Sequence, residues 1–158
     1  LVEYVLARLP QAPALNTLEL YAGAGLFSLF LAERSHELIA IESSPSACYD
    51  FANNLDAYDN VRLYEGPVEE VLPALIDELP SLDLVLLDPP RAGLHPKARE
   101  SLEKLNSRQI IYVSCDPSTL ARDLKHLCEA GYQLTDVHLF DMFPQTYHME
   151  TVAILQRG

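Results

Sequence analysis

The sequence predicts one α/β domain: a mostly parallel sheet that ends in an antiparallel strand pair, with helices on both faces. Short apolar runs alternate along the chain with runs of helical periodicity, which is typical of a parallel sheet covered on both sides. The last two apolar runs, 134–140 and 151–155, leave no room for a crossover helix between them. These two runs are therefore expected to pair antiparallel, as the last strands of a Rossmann-like sheet.

The remaining elements follow from apolar periodicity and from proline and glycine positions. The predicted strands are 17–21, 37–42, 61–65, 82–87, 109–114, 134–140 and 151–155. The predicted helices are 2–9, 26–32, 68–79, 96–105 and 119–130, with a further one that begins at Pro45 behind a Ser44 cap. We expect residues 1–158 to form a single domain, in which 1–16 are a first helix and a linker.

Composition excludes several classes of protein. No apolar run approaches the ~20 residues of a membrane span, and no charged-then-apolar leader is present, so neither a membrane partner nor a secretory signal is expected. Three cysteines without a CxxC pair predict no disulfide framework and no metal site, and they favour a cytoplasmic location. The net charge of −12 disfavours a phosphate-binding surface on this chain.

Unusual residue clusters follow several of the predicted strands. They are Tyr-Ala-Gly-Ala-Gly at 21–25, Glu42, Asp-Pro-Pro-Arg at 88–91 and Ser-Cys-Asp-Pro at 114–117. Ligands of open parallel sheets bind beyond the carboxyl ends of the strands. The sequence therefore predicts that these clusters surround one binding site.

The first two clusters indicate a nucleotide-like ligand. Gly23 and Gly25 allow the backbone to turn sharply and to approach a ligand, and the helix that follows offers unpaired N–H groups. Glu42 is placed to accept hydrogen bonds from two ribose hydroxyls, although it could instead belong to the cap of the next helix. The glycine pattern reaches only Gly-x-Gly-x-x-Ser28, so NAD is the weaker cofactor interpretation.

The other two clusters indicate reactive groups. Asp88 precedes two prolines that fix an extended turn, which is also common turn chemistry. Cys115 lies between a strand and a helix that Asp116 is expected to cap, and a helix N-terminus stabilises a thiolate, although the Asp116 charge opposes this. Cys48 and Cys128 lie on apolar helix stripes and are expected to be core residues.

The stretch 140–150 mixes aromatic residues, acids and a histidine where a tight turn would have sufficed. A connection with so much apolar surface is usually functional. Glu150 or His148 could act as a general base, and for His148 a structural hydrogen bond is an equal alternative.

Two long motifs resemble those of the RNA 5-methyluridine methyltransferase family (TrmA-type, dependent on S-adenosylmethionine, SAM). The first is Asp-Pro-Pro-Arg-Ala-Gly at 88–93 followed, after sixteen residues, by Ile-Ile-Tyr-Val-Ser-Cys-Asp-Pro-Ser-Thr at 110–119. The second is Phe-Asp-Met-Phe-Pro-Gln-Thr-Tyr-His-Met-Glu at 140–150. The match spans roughly 17–157 and departs from the family at Asp116, where the family commonly has Asn.

The resemblance implies a class I SAM-dependent methyltransferase fold, with SAM as cofactor and a tRNA or rRNA uridine as substrate. It implies Cys115 as the nucleophile and Glu150 as the base, with Tyr21, Glu42 and Asp88 around SAM. It also implies upstream RNA-binding domains that are absent from this chain, and we expect a monomer.

Three alternatives remain open. A 5-methylcytosine enzyme usually carries a second cysteine where Arg91 stands, and an exocyclic-amine methyltransferase uses an aromatic residue there. A module that binds SAM without catalysis is the alternative from a different class.

Overall fold

The computed structural model describes residues 1–141 and 149–158. Its strands are β1 Leu15–Leu20, β2 Ser35–Glu42, β3 Val61–Glu65, β4 Leu84–Leu87, β5 Gln109–Ser114, β6 Tyr132–Phe140 and β7 Glu150–Arg157. Its α-helices are α1 Val2–Leu6, α2 Ser28–Leu31, α3 Pro45–Asn54, α4 Val68–Leu75, α5 Pro96–Lys104 and α6 Pro117–Glu129, and a 3-10 turn, Ala32–Arg34, follows α2.

The strands form one sheet in the order β3-β2-β1-β4-β5-β7-β6. The first five strands are parallel, and β7 pairs antiparallel with both β5 and β6. This confirms the predicted fold class. Since β1 lies between β2 and β4, the strand order reverses there, and ligands of such sheets bind at this reversal, beyond the carboxyl ends of the strands.

Side chains of a strand alternate between the two faces of the sheet, and here both faces are apolar. Helices therefore pack on both. Leu18 and Leu20 of β1 belong to the core on the side of α4, α5 and α6. Leu38 and Ala40 of β2 belong to the core on the side of α1, α2 and α3. All four residues of β4 are buried, as predicted for a central strand.

The helix bounds differ from prediction where the periodic apolar residues continue past the end of the helix. The α4 helix ends at Leu75, and the apolar residues Ile76 and Leu79 continue to pack on the core beyond it. The prediction of Cys128 as a core residue was wrong, because this cysteine is exposed. The α6 face that packs on the sheet includes Asp123 instead. Within the described part of the chain, no helix has the length and apolarity of a membrane span.

Candidate active site

The glycine loop after β1 lies against α3 and leaves space on its other side. Gly23 and Gly25 have φ angles of +57° and +88°, a region that favours glycine. A Cβ on Gly25 would lie 2.7 Å from Leu55 Cδ2, so no larger residue fits there. A Cβ on Gly23 would meet no atom within 4 Å, so the loop backbone is accessible at that point.

Glu42, the last residue of β2, fastens this loop. Its carboxylate is buried and accepts hydrogen bonds from three backbone N–H groups: Gly23 N at 2.8 Å, Ser43 N at 2.8 Å and Ser44 N at 2.7 Å. A carboxylate has about four acceptor sites, so roughly one remains for a ligand hydroxyl. Glu42 therefore orders the loop and the start of α3, and still has room to contact a ribose.

We expect Glu42→Gln to weaken SAM binding by about tenfold or more, since hydrogen bonds to a charged group are worth ~1.5–3 kcal/mol each. An amide offers a single acceptor oxygen in place of two. Isothermal titration of SAM into the intact protein measures the effect. Glu70→Gln, on the exposed side of α4, is the matched control. Equal SAM affinity for both variants would show that Glu42 has no part in the cofactor site.

Tyr21 begins the loop with a φ of +61°, which is rare for a residue other than glycine. Its ring packs against the core on the α4–α6 side. Burial raises the pKa of its phenol, and the charges of Glu69 and Asp123 raise it further, so the hydroxyl stays neutral. Tyr21 borders a cavity of about 360 Å³ that also reaches Pro90 and Leu94 of the loop after β4.

Asp88 follows β4, between the ends of β1 and β5. Its N–H donates to the Leu20 carbonyl at 3.4 Å. The residue is exposed on one side, but the surrounding protein desolvates its carboxyl and Glu150 adds a nearby negative charge, and together these raise its pKa to about 6. Asp88 and Glu150 are therefore electrostatic neighbours at this edge.

Glu19 is a buried carboxyl that the sequence analysis did not identify as unusual. It lies in β1 and accepts a short hydrogen bond from Ser28 of α2. Burial raises its pKa to about 8, with the charge of Asp88 as a further cause. Glu19 is therefore mostly protonated at neutral pH, and its bond with Ser28 joins the strand before the glycine loop to the helix after it.

The chain should become less stable as pH rises from about 5 to 8, because folded Glu19 keeps its proton to about pH 8 while the unfolded chain releases it near the ordinary value of 4.5. One such group contributes a slope of at most ~1.4 kcal/mol per pH unit. We expect Glu19→Gln to reduce the change in the free energy of unfolding between pH 5 and pH 8, as measured by urea unfolding. Glu100→Gln, an exposed change on α5, should leave it intact. If the free energy of unfolding changes with pH equally for the parent and for Glu19→Gln, Glu19 does not carry the extra proton in the folded chain.

Cys115 and Glu150 both adjoin the last residue pair of the β5–β7 ladder. The β5–β7 ladder ends with Ser114 paired to Thr151, so the next two residues in this register are Cys115 and Glu150. Both residues are half-buried, so the thiol is not enclosed in the core.

Asp116 caps α6 as predicted. Its Oδ1 accepts from Ser118 N at 2.9 Å and Thr119 N at 3.0 Å. These two bonds and the nearby Arg91 charge outweigh desolvation and lower its pKa, so it remains a carboxylate. An Asn would cap in the same way through its oxygen, and so the departure from the family motif preserves the start of the helix.

The structure brings Tyr21, Gly23, Gly25, Glu42 and Asp88 to the same edge as Cys115 and Glu150. His148, the alternative base, lies outside the described residues. Within 1–141 and 149–158, no three His, Cys, Asp or Glu side chains are grouped as a metal site would need. Sequence reasoning missed Glu19 and Asp123. Asp123 had a detectable signal, since it lies three residues after Leu120 on the predicted apolar stripe.

Comparison with known proteins identifies the family. The family model described as tRNA (uracil-5-)-methyltransferase matches residues 1–158. The chain belongs to this family. The match confirms the resemblance inferred from the two long motifs.

Relatives by sequence are RNA methyltransferases. An uncharacterized RNA methyltransferase from Streptomyces coelicolor is 47% identical over 143 residues, which cover 88% of this chain and 31% of that protein. Another from Thermotoga maritima is 43% identical and covers 89% of this chain and 32% of that protein. The chain thus spans about a third of the length of these relatives.

A solved structure agrees with both fold and family. The Pyrococcus abyssi tRNA (uracil-54, C5)-methyltransferase, in complex with S-adenosyl-L-homocysteine, matches with a TM-score of 0.82 and 33% identity. The match covers 98% of this chain and 36% of that protein. This chain therefore has the class I methyltransferase fold that the sequence predicted.

Proposed function

We propose that the protein containing this chain transfers a methyl group from SAM to carbon 5 of a uridine in RNA, through a covalent bond between Cys115 and the base. The main support is the β5–β7 ladder: its last pair, Ser114 with Thr151, is followed on β5 by the half-buried Cys115 and preceded on β7 by the half-buried Glu150. Family membership supports RNA methylation as the activity. The family description and the Pyrococcus relative favour carbon 5 of uracil.

The glycine loop and Glu42 fit SAM. The open side of Gly23 gives a ligand access to the loop backbone, and Glu42 keeps about one acceptor site for a ribose hydroxyl. Asp88 and Tyr21 add a carboxyl and a neutral hydroxyl at the same edge. When bound, SAM supplies an electrophilic methyl group on a sulfonium sulfur.

The residues of the chain supply the rest of the chemistry. Carbon 5 of uracil is a weak nucleophile, so the Cys115 thiolate adds to carbon 6 and leaves an enolate with its electron density on carbon 5. Once carbon 5 carries the methyl group, Glu150 removes its proton. The electron pair restores the C5–C6 double bond and expels Cys115 as a thiolate, which returns the enzyme to its starting state.

The charge of the chain bears on how RNA is held. With 11 basic and 23 acidic residues, the chain offers little attraction for a phosphate backbone. Its relatives are about three times longer than the part that it matches. We therefore propose that residues outside this chain supply most of the contact with RNA phosphates.

Nucleoside analysis tests the proposal. RNA from cells that lack the intact protein should lose 5-methyluridine at one position, and purified protein with methyl-labelled SAM should restore it there. Mass mapping of the RNA identifies whether that position is in tRNA or rRNA. Label in 5-methylcytidine or in an N-methylated base would assign a different reaction, and SAM binding without transfer to any RNA would favour a module that only binds SAM.

A further inference from the structure

Three hydrogen bonds fasten the loop after β4 to helix α6. We refer to residues 88–94 as the Asp88 loop. Thr119 Oγ1 donates to the Arg91 carbonyl at 3.0 Å, and Arg122 Nη2 donates to the Ala92 carbonyl at 3.0 Å. In the opposite direction, Leu94 N donates to Asp123 Oδ2 at 2.8 Å. All three contacts are made to loop backbone, so they fix the course of the loop itself.

Asp123 is the centre of this connection. Its side chain has no solvent exposure, and its two oxygens have separate tasks. Oδ2 accepts from Leu94 N and from the Tyr112 hydroxyl of β5, both at 2.8 Å. Oδ1 pairs with Arg122, whose Nη2 lies 2.9 Å away. Burial and the Asp123 charge raise the pKa of Tyr112, which keeps its hydroxyl available as a donor.

In this ion pair Asp123 is fully buried, whereas the side chain of Arg122 is 45% exposed. A buried carboxylate is costly unless it is hydrogen-bonded, and the bonds that Asp123 accepts from Leu94 and Tyr112 are directional, so they select one geometry of the loop. The fit is also close at Gly93, whose φ is +74°. A Cβ there would lie 2.6 Å from both Arg122 Nη2 and Asp123 Oδ2. The loop therefore lies directly on the pair.

The two elements joined in this way carry groups of the candidate site. The Asp88 loop begins with Asp88, and α6 begins two residues after Cys115. We propose that Thr119, Arg122 and Asp123 are positioning residues that hold the Asp88 loop on α6 and thereby keep the Asp88 carboxyl at a fixed distance from the Cys115 thiol. This proposal rests on the proposed function, since the distance matters only if methyl donor and thiol act on one base.

Asp123→Asn in the intact protein tests this role. An asparagine side chain has one acceptor oxygen in place of two. It therefore loses either the hydrogen bonds from Leu94 N and the Tyr112 hydroxyl or the contact with Arg122. We expect the single-turnover rate of methyl transfer to fall roughly 100-fold, as displacements of about 1 Å do, with SAM affinity changed less than about threefold. The Leu94 amide should lose protection from hydrogen exchange while the amides of β5 keep theirs.

Two further variants separate positioning from folding. Thr119→Val removes the hydroxyl bond to the Arg91 carbonyl, together with the longer contact to the Asp116 carbonyl, and should slow transfer. Thr119→Ser keeps the hydroxyl and should retain the parent rate. Glu129→Gln breaks the exposed Lys125–Glu129 pair on the same helix and should change nothing. If a folded Asp123→Asn protein transfers methyl at the parent rate, or if Thr119→Ser is as slow as Thr119→Val, the positioning role is overturned.

The outcome also distinguishes this inference from the function on which it rests. A parent protein that forms no 5-methyluridine contradicts the proposed function, and the positioning role falls with it. An active parent with an unaffected Asp123→Asn variant contradicts only the positioning role. Should Asp123→Asn fail to fold, the Thr119 pair decides the question.

Discussion

Cys115→Ala in the intact protein should reduce methyl transfer to uridine by roughly 10⁴-fold or more, because loss of a covalent nucleophile removes the whole route and not one contact. Without addition at carbon 6, carbon 5 has no enolate character with which to take up the methyl group. SAM affinity should change little, since the glycine loop and Glu42 remain. The measurement is the rate of label transfer from methyl-labelled SAM to RNA, with binding measured separately by calorimetry.

The chain offers a matched control for this substitution. Cys128 is exposed on α6, so Cys128→Ala removes a thiol without disturbing the core or the sheet edge. Its transfer rate should equal that of the parent. Methylation that survives in a folded Cys115→Ala protein would rule out the covalent route and favour direct transfer to a different atom.

Glu150→Gln should have a different effect, which is to trap the intermediate. The thiol can still add and the methyl group can still transfer, but the carbon 5 proton has no base, so elimination slows by about 10²–10⁴-fold. A methylated, covalent complex between protein and ordinary uridine RNA should then accumulate to one equivalent. Denaturing gel electrophoresis and mass spectrometry detect it.

The double variant Cys115→Ala with Glu150→Gln is the control, because it cannot form the bond and should show no complex. A Glu150→Gln protein that turns over at the parent rate would assign the base to another residue. His148 is then the next candidate, which His148→Gln tests in the same assay.

Most of the fold could be predicted because its signals are local. The alternation of apolar runs and helical stripes gave the strands and their mostly parallel arrangement, and the short 134–140 and 151–155 separation gave the antiparallel pair. The positions of the glycine loop and of Glu42 followed from where strands end. These predictions depend on residues near each other in sequence.

The approach of Cys115 and Glu150 to the same end of the β5–β7 ladder could not be predicted in this way. Sequence placed both at one edge of the sheet, but which residues adjoin the end of the ladder depends on the β5–β7 register. A shift of one residue would move every side chain of the strand to the other face of the sheet. Asp123 was missed for a related reason. The buried stripe of α6 was assumed to be wholly apolar, so Cys128 was assigned to the core although it is exposed. The buried residue is instead Asp123, whose partners Leu94 and Tyr112 lie in other parts of the chain.

The most direct test of a covalent bond between Cys115 and the base uses RNA that carries 5-fluorouridine at the methylated position. Carbon 5 then holds fluorine where Glu150 would remove a proton, so elimination stops after methyl transfer. We predict a complex of one RNA per protein whose mass includes one added methyl group, with the bond mapped by peptide sequencing to Cys115. A protein that methylates ordinary uridine RNA but forms no such complex, or forms it at another residue, would contradict a covalent route through Cys115.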